Sequence, residues 1–106
     1  MGILSKLFGG GNDQLSAYIS NGAVIVDVRT PQEFSQGSVN GAKNMPLQSI
    51  GNKVDEITKW KKPVILCCAS GMRSGQATKA LRNSGIDCIN GGSWQKVDKA
   101  LKQAAS

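Results

Sequence analysis

The sequence predicts an α/β domain in which a small parallel sheet of four or five strands lies between helices. Three observations favour this fold class. The chain has 106 residues, 40% of them hydrophobic and 19% charged, which is typical of one folded domain. Its short, continuous apolar segments are rich in β-branched residues and therefore resemble buried strands. Segments with apolar residues at helical spacing alternate with them, as crossovers between parallel strands require.

The first half of the chain predicts two short helices and two strands. Asp13 is a suitable N-cap for the first helix, which ends before a continuous apolar strand at residues 23–28. Thr30 can cap a second helix that begins at Pro31. Proline suits the first helical position, because the backbone N–H that it lacks would have no partner within the helix. Residues 42–45 are then expected to form a very short strand.

The second half continues the same alternation of helices and strands. The predicted elements are a helix over residues 47–60, a strand over residues 63–68, a helix over residues 74–83, a strand over residues 86–89 and a helix that begins after Ser93. Ser93 is expected to cap the last helix, and Gly91 and Gly92 are expected to form the turn before it. The carboxyl ends of such strands are where α/β sheets bind ligands.

Residues 1–11 are expected to be a flexible N-terminal tail, and residues 12–106 the folded domain. Lys6 interrupts the apolar residues of the tail, which are too few for a signal peptide or a membrane span. The three cysteines cannot all pair, and two of them are adjacent, so we expect reduced thiols and a cytoplasmic protein. We also expect a monomer that does not bind a membrane.

The charge of the chain and its lack of histidine exclude several classes of function. The formal charge of +6 comes from 13 basic and 7 acidic residues, but the lysines are scattered and no aromatic residues are interleaved with them. This pattern indicates attraction to small anions and not to nucleic acid. The absence of histidine excludes a Ser-His-Asp triad, a Cys-His pair and a zinc site with histidine ligands. Any nucleophile must be activated without an imidazole.

Residues 67–74, CCASGMRS, contain the strongest chemical signal. They run from the end of a predicted strand to the start of a predicted helix, where backbone N–H groups and the helix dipole stabilise a thiolate. Two loops fit these residues. Cys68 and Arg73 form a Cys-x4-Arg loop, whereas Cys67 and Arg73 form the Cys-x5-Arg spacing of cysteine phosphatases and arsenate reductases. The identity of the nucleophilic cysteine therefore decides the reaction class.

The chain resembles the single-domain rhodaneses, a family of sulfurtransferases. The motifs that carry the resemblance are VDVRTPQEF at residues 26–34, GAKNMP at residues 41–46, GMRSGQA at residues 71–77 and GGSW at residues 91–94. They extend in order over nearly the whole chain from about Asp13 onward. The resemblance implies a three-layer α/β/α fold with a four- or five-stranded parallel sheet.

The resemblance also implies a reaction at Cys68. In this family the cysteine that follows the apolar strand opens a six-residue loop, and Cys68 occupies that position. Cys68 would take a sulfur atom from a small anionic donor such as thiosulfate, carry it as a persulfide, and pass it to cyanide, a thiol or a protein. No metal or organic cofactor is implied. The implied substrate-binding residues are Ala69, Ser70, Gly71, Met72, Arg73 and Ser74.

Other residues have expected roles around this loop. Alternation along the strand predicts that Cys67 points away from Cys68 into the core. Arg73 is expected either to contact an anionic substrate or to brace the loop through a carboxylate. Asp27 and Arg29 are expected to support the end of the first strand, with a further ion pair between Arg29 and Glu33 at helical spacing. Two alternatives stay open, namely a non-catalytic carrier module that binds a protein partner, and a phosphatase or arsenate reductase that uses Cys67.

Overall fold

The computed structural model describes residues 14–106, so the predicted cap at Asp13 and the predicted tail at residues 1–11 lie outside the described residues. The strands are β1 (Val24–Asp27), β2 (Lys43–Asn44), β3 (Val64–Cys68) and β4 (Cys88–Ser93). The helices are α1 (residues 14–20), α2 (Pro31–Ser35), α3 (Val54–Trp60), α4 (Met72–Asn83) and α5 (Trp94–Ala105), with a 3₁₀ helix at Leu47–Lys53. No helix within residues 14–106 combines the length and apolar character needed to cross a bilayer.

The four strands of residues 14–106 form one parallel sheet in the order β2-β1-β3-β4. This arrangement confirms the predicted α/β class. Val26 of β1 lies between Lys43 of β2 and Leu66 of β3, and Asp27 is next to Cys67. Because all strands run the same way, the ends of β1 and β3 lie at the same edge of the sheet. The loop after Cys68 and the segment at Arg29 therefore both begin at this edge.

The sheet separates two hydrophobic clusters, which confirms the predicted three layers. Side chains alternate along β3, so Leu66 and Cys68 belong to the cluster beneath α3 and α4, whereas Ile65 and Cys67 belong to the cluster beneath α1 and α5. The second cluster includes Leu15 of α1. The two adjacent cysteines therefore face opposite layers, as the alternation predicted.

Two predicted helix caps are confirmed. The Thr30 hydroxyl accepts a hydrogen bond from the Glu33 N–H at 3.2 Å, and the Glu33 carboxylate accepts one from the Thr30 N–H at 3.1 Å. These reciprocal bonds form a capping box that starts α2 at Pro31. Ser93 caps α5 by accepting a hydrogen bond from the Lys96 N–H at 3.2 Å. Both caps lie next to the carboxyl edge of the sheet.

The prediction of one continuous helix over residues 47–60 is wrong in part. Residues Leu47–Lys53 form a 3₁₀ helix, and the α-helix begins only at Val54. Gly51 and Asn52 are poor α-helix formers, so this segment is held by packing of Ile50 in the core instead of by helical propensity.

The predicted turn at Gly91 and Gly92 is also wrong, because both residues belong to β4. The register passes from Leu66 opposite Asn90 to Cys67 opposite Gly92, which leaves Gly91 as the extra residue of a β-bulge. A Cβ atom at Gly91 would lie only 2.6 Å from Val97 Cγ2. Glycine is therefore required here by close packing within a strand and not by a turn.

Gly91→Ala is expected to lower the free energy of unfolding by about 1–3 kcal/mol, because the added methyl group overpacks the contact between β4 and α5. Gly51→Ala is the matched control, since a Cβ atom there would meet nothing within 4 Å. Urea unfolding of both variants measures the difference. Equal unfolding midpoints for the two variants would show that the bulge tolerates a side chain.

Candidate active site

Cys68 is the last residue of β3, and its thiol lies inside the loop that leads to α4. Its Sγ atom accepts hydrogen bonds from the Gly71 N–H at 3.0 Å and the Ser74 N–H at 3.4 Å. The Ser74 hydroxyl is 3.3 Å from the same sulfur. The thiol is fully enclosed, whereas Ala69 and Ser70 are exposed above it. The loop therefore surrounds the sulfur with hydrogen-bond donors.

These donors change the acidity of Cys68. Burial alone raises the pKa of a thiol, because it disfavours the charged form. At Cys68 this effect is outweighed by hydrogen bonds from the Ser74 hydroxyl and from the backbone N–H groups of Ser74, Gly71 and Ser70, so its pKa lies below the ordinary value. The start of α4 adds the positive end of a helix dipole at the same place. The site thus makes the Cys68 thiol more acidic without an imidazole.

Gly71 shapes the loop. It is the N-cap of α4 and has a φ of 99°, in the left-handed region that favours glycine. A Cβ atom at Gly71 would lie 3.2 Å from the Gly92 Cα atom, so the loop packs directly on the backbone of β4. The helix begins at Met72, two residues earlier than predicted, and Ser74 therefore lies in its first turn. This places the Ser74 N–H and hydroxyl beside Cys68.

Asn90 of β4 is a residue of the site that the sequence analysis missed. Its Nδ2 donates to the Gly71 carbonyl at 2.9 Å, and its Oδ1 accepts from the Ser74 hydroxyl at 2.7 Å and from the Gly92 N–H at 3.0 Å. The available signal was a polar residue between the apolar part of β4 and two glycines that were predicted to form a turn. The β-bulge at Gly91 follows Asn90 directly in β4, at the point where the strand passes the loop.

Arg73 is tied to a carboxylate. Its guanidinium donates to Glu33 Oε1 at 2.7 Å and Oε2 at 3.0 Å, which connects the start of α4 to α2. The hydrogen bonds from Arg73 and Thr30 lower the pKa of Glu33 to about 2. Of the two predicted tasks of Arg73, this geometry favours bracing, and contact with a substrate stays a prediction. Sequence spacing alone had not indicated that Glu33 was the partner.

Asp27 and Arg29 form a buried ion pair at the end of β1. Arg29 Nη2 lies 2.7 Å from Asp27 Oδ2, and Asp27 Oδ1 also accepts from the Arg29 backbone N–H at 2.9 Å. Arg29 further donates to the carbonyl groups of Gly37 and Glu33 and stacks over Trp94, with its guanidinium carbon 5.1 Å from the ring centroid. The predicted ion pair between the Arg29 and Glu33 side chains is wrong, because each side chain has a different partner.

The other two cysteines lie away from the loop. Burial and the nearby Asp27 carboxylate raise the pKa of Cys67 to about 12. Cys88 is opposite Val64, four residues before Cys68 on β3, which corresponds to about 13 Å along the strand. Burial also raises its pKa. Neither thiol shares the donors that surround Cys68.

A cleft of about 330 Å³ opens beside the loop. Ala69 of the loop, the Arg29 and Glu33 side chains, and Trp94 of α5 line it. On the outer side of the loop, Met72 is 75% exposed and is the one large apolar side chain of residues 14–106 that is exposed in this way. The cleft therefore adjoins the loop through Ala69, the residue that follows Cys68.

The fold and the site define a class of protein. It is a three-layer α/β domain in which a cysteine at the carboxyl end of a central strand is enclosed by backbone donors and the start of a helix. Residues 11–100 match the family model described as the rhodanese-like domain. The chain belongs to the rhodanese-like family, as the resemblance of its motifs had implied.

Three known proteins illustrate this similarity. The uncharacterized protein YqhL of Bacillus subtilis is 43% identical over 85 residues, which cover 76% of this chain and 67% of that protein. Thiosulfate sulfurtransferase GlpE of Ectopseudomonas mendocina is 33% identical over 67 residues, which cover 63% of this chain and 61% of that protein. The crystal structure of a rhodanese-like domain protein from Staphylococcus aureus matches with a TM-score of 0.64 and 30% identity, over 72% of this chain and 74% of that one.

Proposed function

We propose that this chain is a sulfurtransferase that carries sulfur as a persulfide on Cys68. The observation that carries the proposal is the set of donors around one thiol: Cys68 accepts hydrogen bonds from Gly71 and Ser74, while Cys67 and Cys88 lie in the core. Membership of the rhodanese-like family and the similarity to a protein named as a thiosulfate sulfurtransferase support the same reaction class.

The first half of the reaction loads the enzyme. The Cys68 thiolate attacks the outer sulfur of thiosulfate, so a new S–S bond forms at Sγ. The S–S bond of thiosulfate breaks, and its electron pair leaves with sulfite. No oxidant or reductant is needed, because the sulfur atom moves without its bonding pair. The Gly71 and Ser74 N–H groups stabilise negative charge on the sulfur before attack.

The second half returns the thiolate. A thiophile such as cyanide attacks the outer sulfur of the persulfide, a carbon–sulfur bond forms, and the electron pair of the breaking S–S bond returns to Cys68. The added sulfur lies about 2 Å from Sγ, the length of an S–S bond. Thiocyanate leaves, and the free enzyme is ready for another donor.

Recognition of an anionic donor falls mainly to the loop backbone. The two arginines beside the loop are each paired with a carboxylate, Arg29 with Asp27 and Arg73 with Glu33. Their charges are therefore largely neutralised before a substrate arrives. Backbone N–H groups that converge on one sulfur position therefore supply the local attraction for an anion at Cys68, in addition to the net positive charge of the chain. We propose that thiosulfate is accepted through them.

Incubation with thiosulfate is expected to add one sulfur atom to the chain, and peptide mass mapping is expected to place it on Cys68. Cyanide should then remove it and release thiocyanate. Sulfur on Cys67 instead would contradict the proposal and favour the Cys-x5-Arg alternative. Stable loading of Cys68 without transfer to cyanide or a small thiol would indicate a carrier for a protein acceptor. The unloaded protein, carried through the same steps, is the control.

A further inference from the structure

Asn90 contacts two of the residues that donate hydrogen bonds to Cys68, Gly71 and Ser74. Its Nδ2 holds the Gly71 carbonyl at 2.9 Å, and the Gly71 N–H donates to Sγ at 3.0 Å. Its Oδ1 lies 2.7 Å from the Ser74 hydroxyl, which is itself 3.3 Å from Sγ. A third bond, from the Gly92 N–H to Oδ1, holds the amide against its own strand. One side chain therefore connects β4 to both sides of the ring of donors around the sulfur.

The surroundings of Asn90 leave room for this connection. A Cβ atom at Gly75 would lie 3.2 Å from Asn90 Nδ2, so a larger residue in this turn of α4 would push the amide away. Glycine inside a helix costs about 1 kcal/mol relative to alanine. The close approach of Asn90 to α4 explains why a glycine stands at position 75. The bulge at Gly91 lies between Asn90 and the Gly92 N–H that the amide binds.

The Ser74 hydroxyl has one proton and two neighbouring acceptors, Asn90 Oδ1 and Cys68 Sγ. While Cys68 is a thiol, Ser74 can donate to Asn90 and accept from the thiol. Once Cys68 is a thiolate, the hydroxyl turns its proton to the sulfur. Asn90 thus has two opposite effects, since it fixes the positions of the donors but also competes for one proton. Asn90 fixes the positions of both Gly71 and Ser74, whereas it competes with the sulfur only for the proton of Ser74.

We propose that Asn90 is a positioning residue that holds Gly71 and Ser74 in place around the Cys68 thiolate. The proposal rests on the proposed role of Cys68. Asn90 does not touch the sulfur and acts only through its two partners. Without it, the Gly71 carbonyl loses its side-chain donor and the Ser74 hydroxyl loses the acceptor that fixes its orientation. Loss of the fixed positions of Gly71 and Ser74 weakens hydrogen bonds that stabilise the charged sulfur, and we expect this loss to outweigh the gain from the freed Ser74 proton.

Asn90→Ala is expected to raise the pH at which Cys68 becomes reactive by about one unit. At a pH below that inflection, the thiolate fraction and the alkylation rate fall about tenfold. The measurement is the rate of modification of Cys68 by iodoacetamide as a function of pH, with the modified cysteine identified by peptide mapping. Asn83→Ala is the matched control, because it removes an exposed asparagine at the end of α4 and should leave the profile unchanged.

A double variant separates positioning from general loosening of the fold. In a Ser74→Ala background, Asn90→Ala should shift the inflection by less than it does alone, because one of its two routes to the sulfur is gone. Asn90→Asp provides a second variant if Asn90→Ala unfolds. It keeps the acceptor but sets a carboxylate oxygen against the Gly71 carbonyl, so it should also raise the inflection.

Two outcomes would overturn the proposal. An unchanged profile in folded Asn90→Ala would show that the loop does not depend on the amide. A lowered inflection would show that Asn90 acts mainly as a competitor for the Ser74 proton. Alkylation needs no sulfur donor, so these results stand apart from the proposed function. Thiosulfate loading of the same variants is scored separately, and failure of the parent protein to load would contradict the sulfurtransferase proposal alone.

Discussion

Cys68→Ala is expected to abolish sulfur transfer from thiosulfate to cyanide, with a loss of at least about a thousandfold in rate. The variant lacks the atom to which the transferred sulfur would bond, and no other thiol can substitute for it. Cys67 and Cys88 are buried, and burial raises the pKa of both. Thiocyanate formation at saturating cyanide measures the effect. Mass measurement after thiosulfate treatment should find no added sulfur.

Cys67→Ala is the matched control for this experiment. It removes the adjacent thiol by the same substitution, but from the opposite face of the sheet, where Cys67 packs with Ile65 and Val97. We expect it to reduce stability through a small cavity and to keep most of the activity when assayed well below its unfolding temperature. Loss of transfer in Cys67→Ala together with retention in Cys68→Ala would contradict the proposed mechanism and support a nucleophile at Cys67.

Arg29→Met is expected to cost about 3–5 kcal/mol of stability, a large part of the 5–15 kcal/mol typical of a domain. The substitution leaves the Asp27 carboxylate, which is fully buried, without its cationic partner. It also removes the hydrogen bonds that Arg29 donates to Gly37 and Glu33 and the stacking on Trp94. The urea midpoint should therefore fall sharply.

Arg73→Met is the control, because it also breaks an ion pair beside the loop but a half-exposed one. Water screens such a pair, so we expect a much smaller loss of stability. The double variant Asp27→Asn and Arg29→Met should recover part of the stability lost in Arg29→Met, because it removes the unpaired charge. Equal losses in Arg29→Met and Arg73→Met would show that burial does not determine the strength of these pairs.

Local patterns predicted the elements that local interactions form. The buried strands at β1 and β3 follow from continuous runs of apolar residues, and the starts of α2 and α5 follow from Thr30 and Ser93. Each of these features depends on residues within about one turn of one another. The opposite orientations of Cys67 and Cys68 follow in the same way, since side chains alternate along any strand.

Long-range contacts were beyond this kind of prediction. Glu33 is a neighbour of Arg29 in the chain, yet its carboxylate pairs with Arg73, forty residues away. Gly91 and Gly92 have the composition of a turn, but packing against Val97 and against Gly71 places them in a strand. A pair of glycines satisfies both environments equally well, and only the neighbouring elements decide between them.

The sequence by itself determined the fold class, the family and the segment that contains Cys68, because strand periodicity and caps are local properties and the motifs follow one another directly along the chain. Only the tertiary structure decided how that cysteine is held. Asn90, Ser74 and Gly71 come together around Cys68 because the bulge in β4 and the left-handed turn at Gly71 let two backbones approach closely. Such contacts join residues distant in the chain, and their hydrogen bonds require a geometry that residue types alone do not specify.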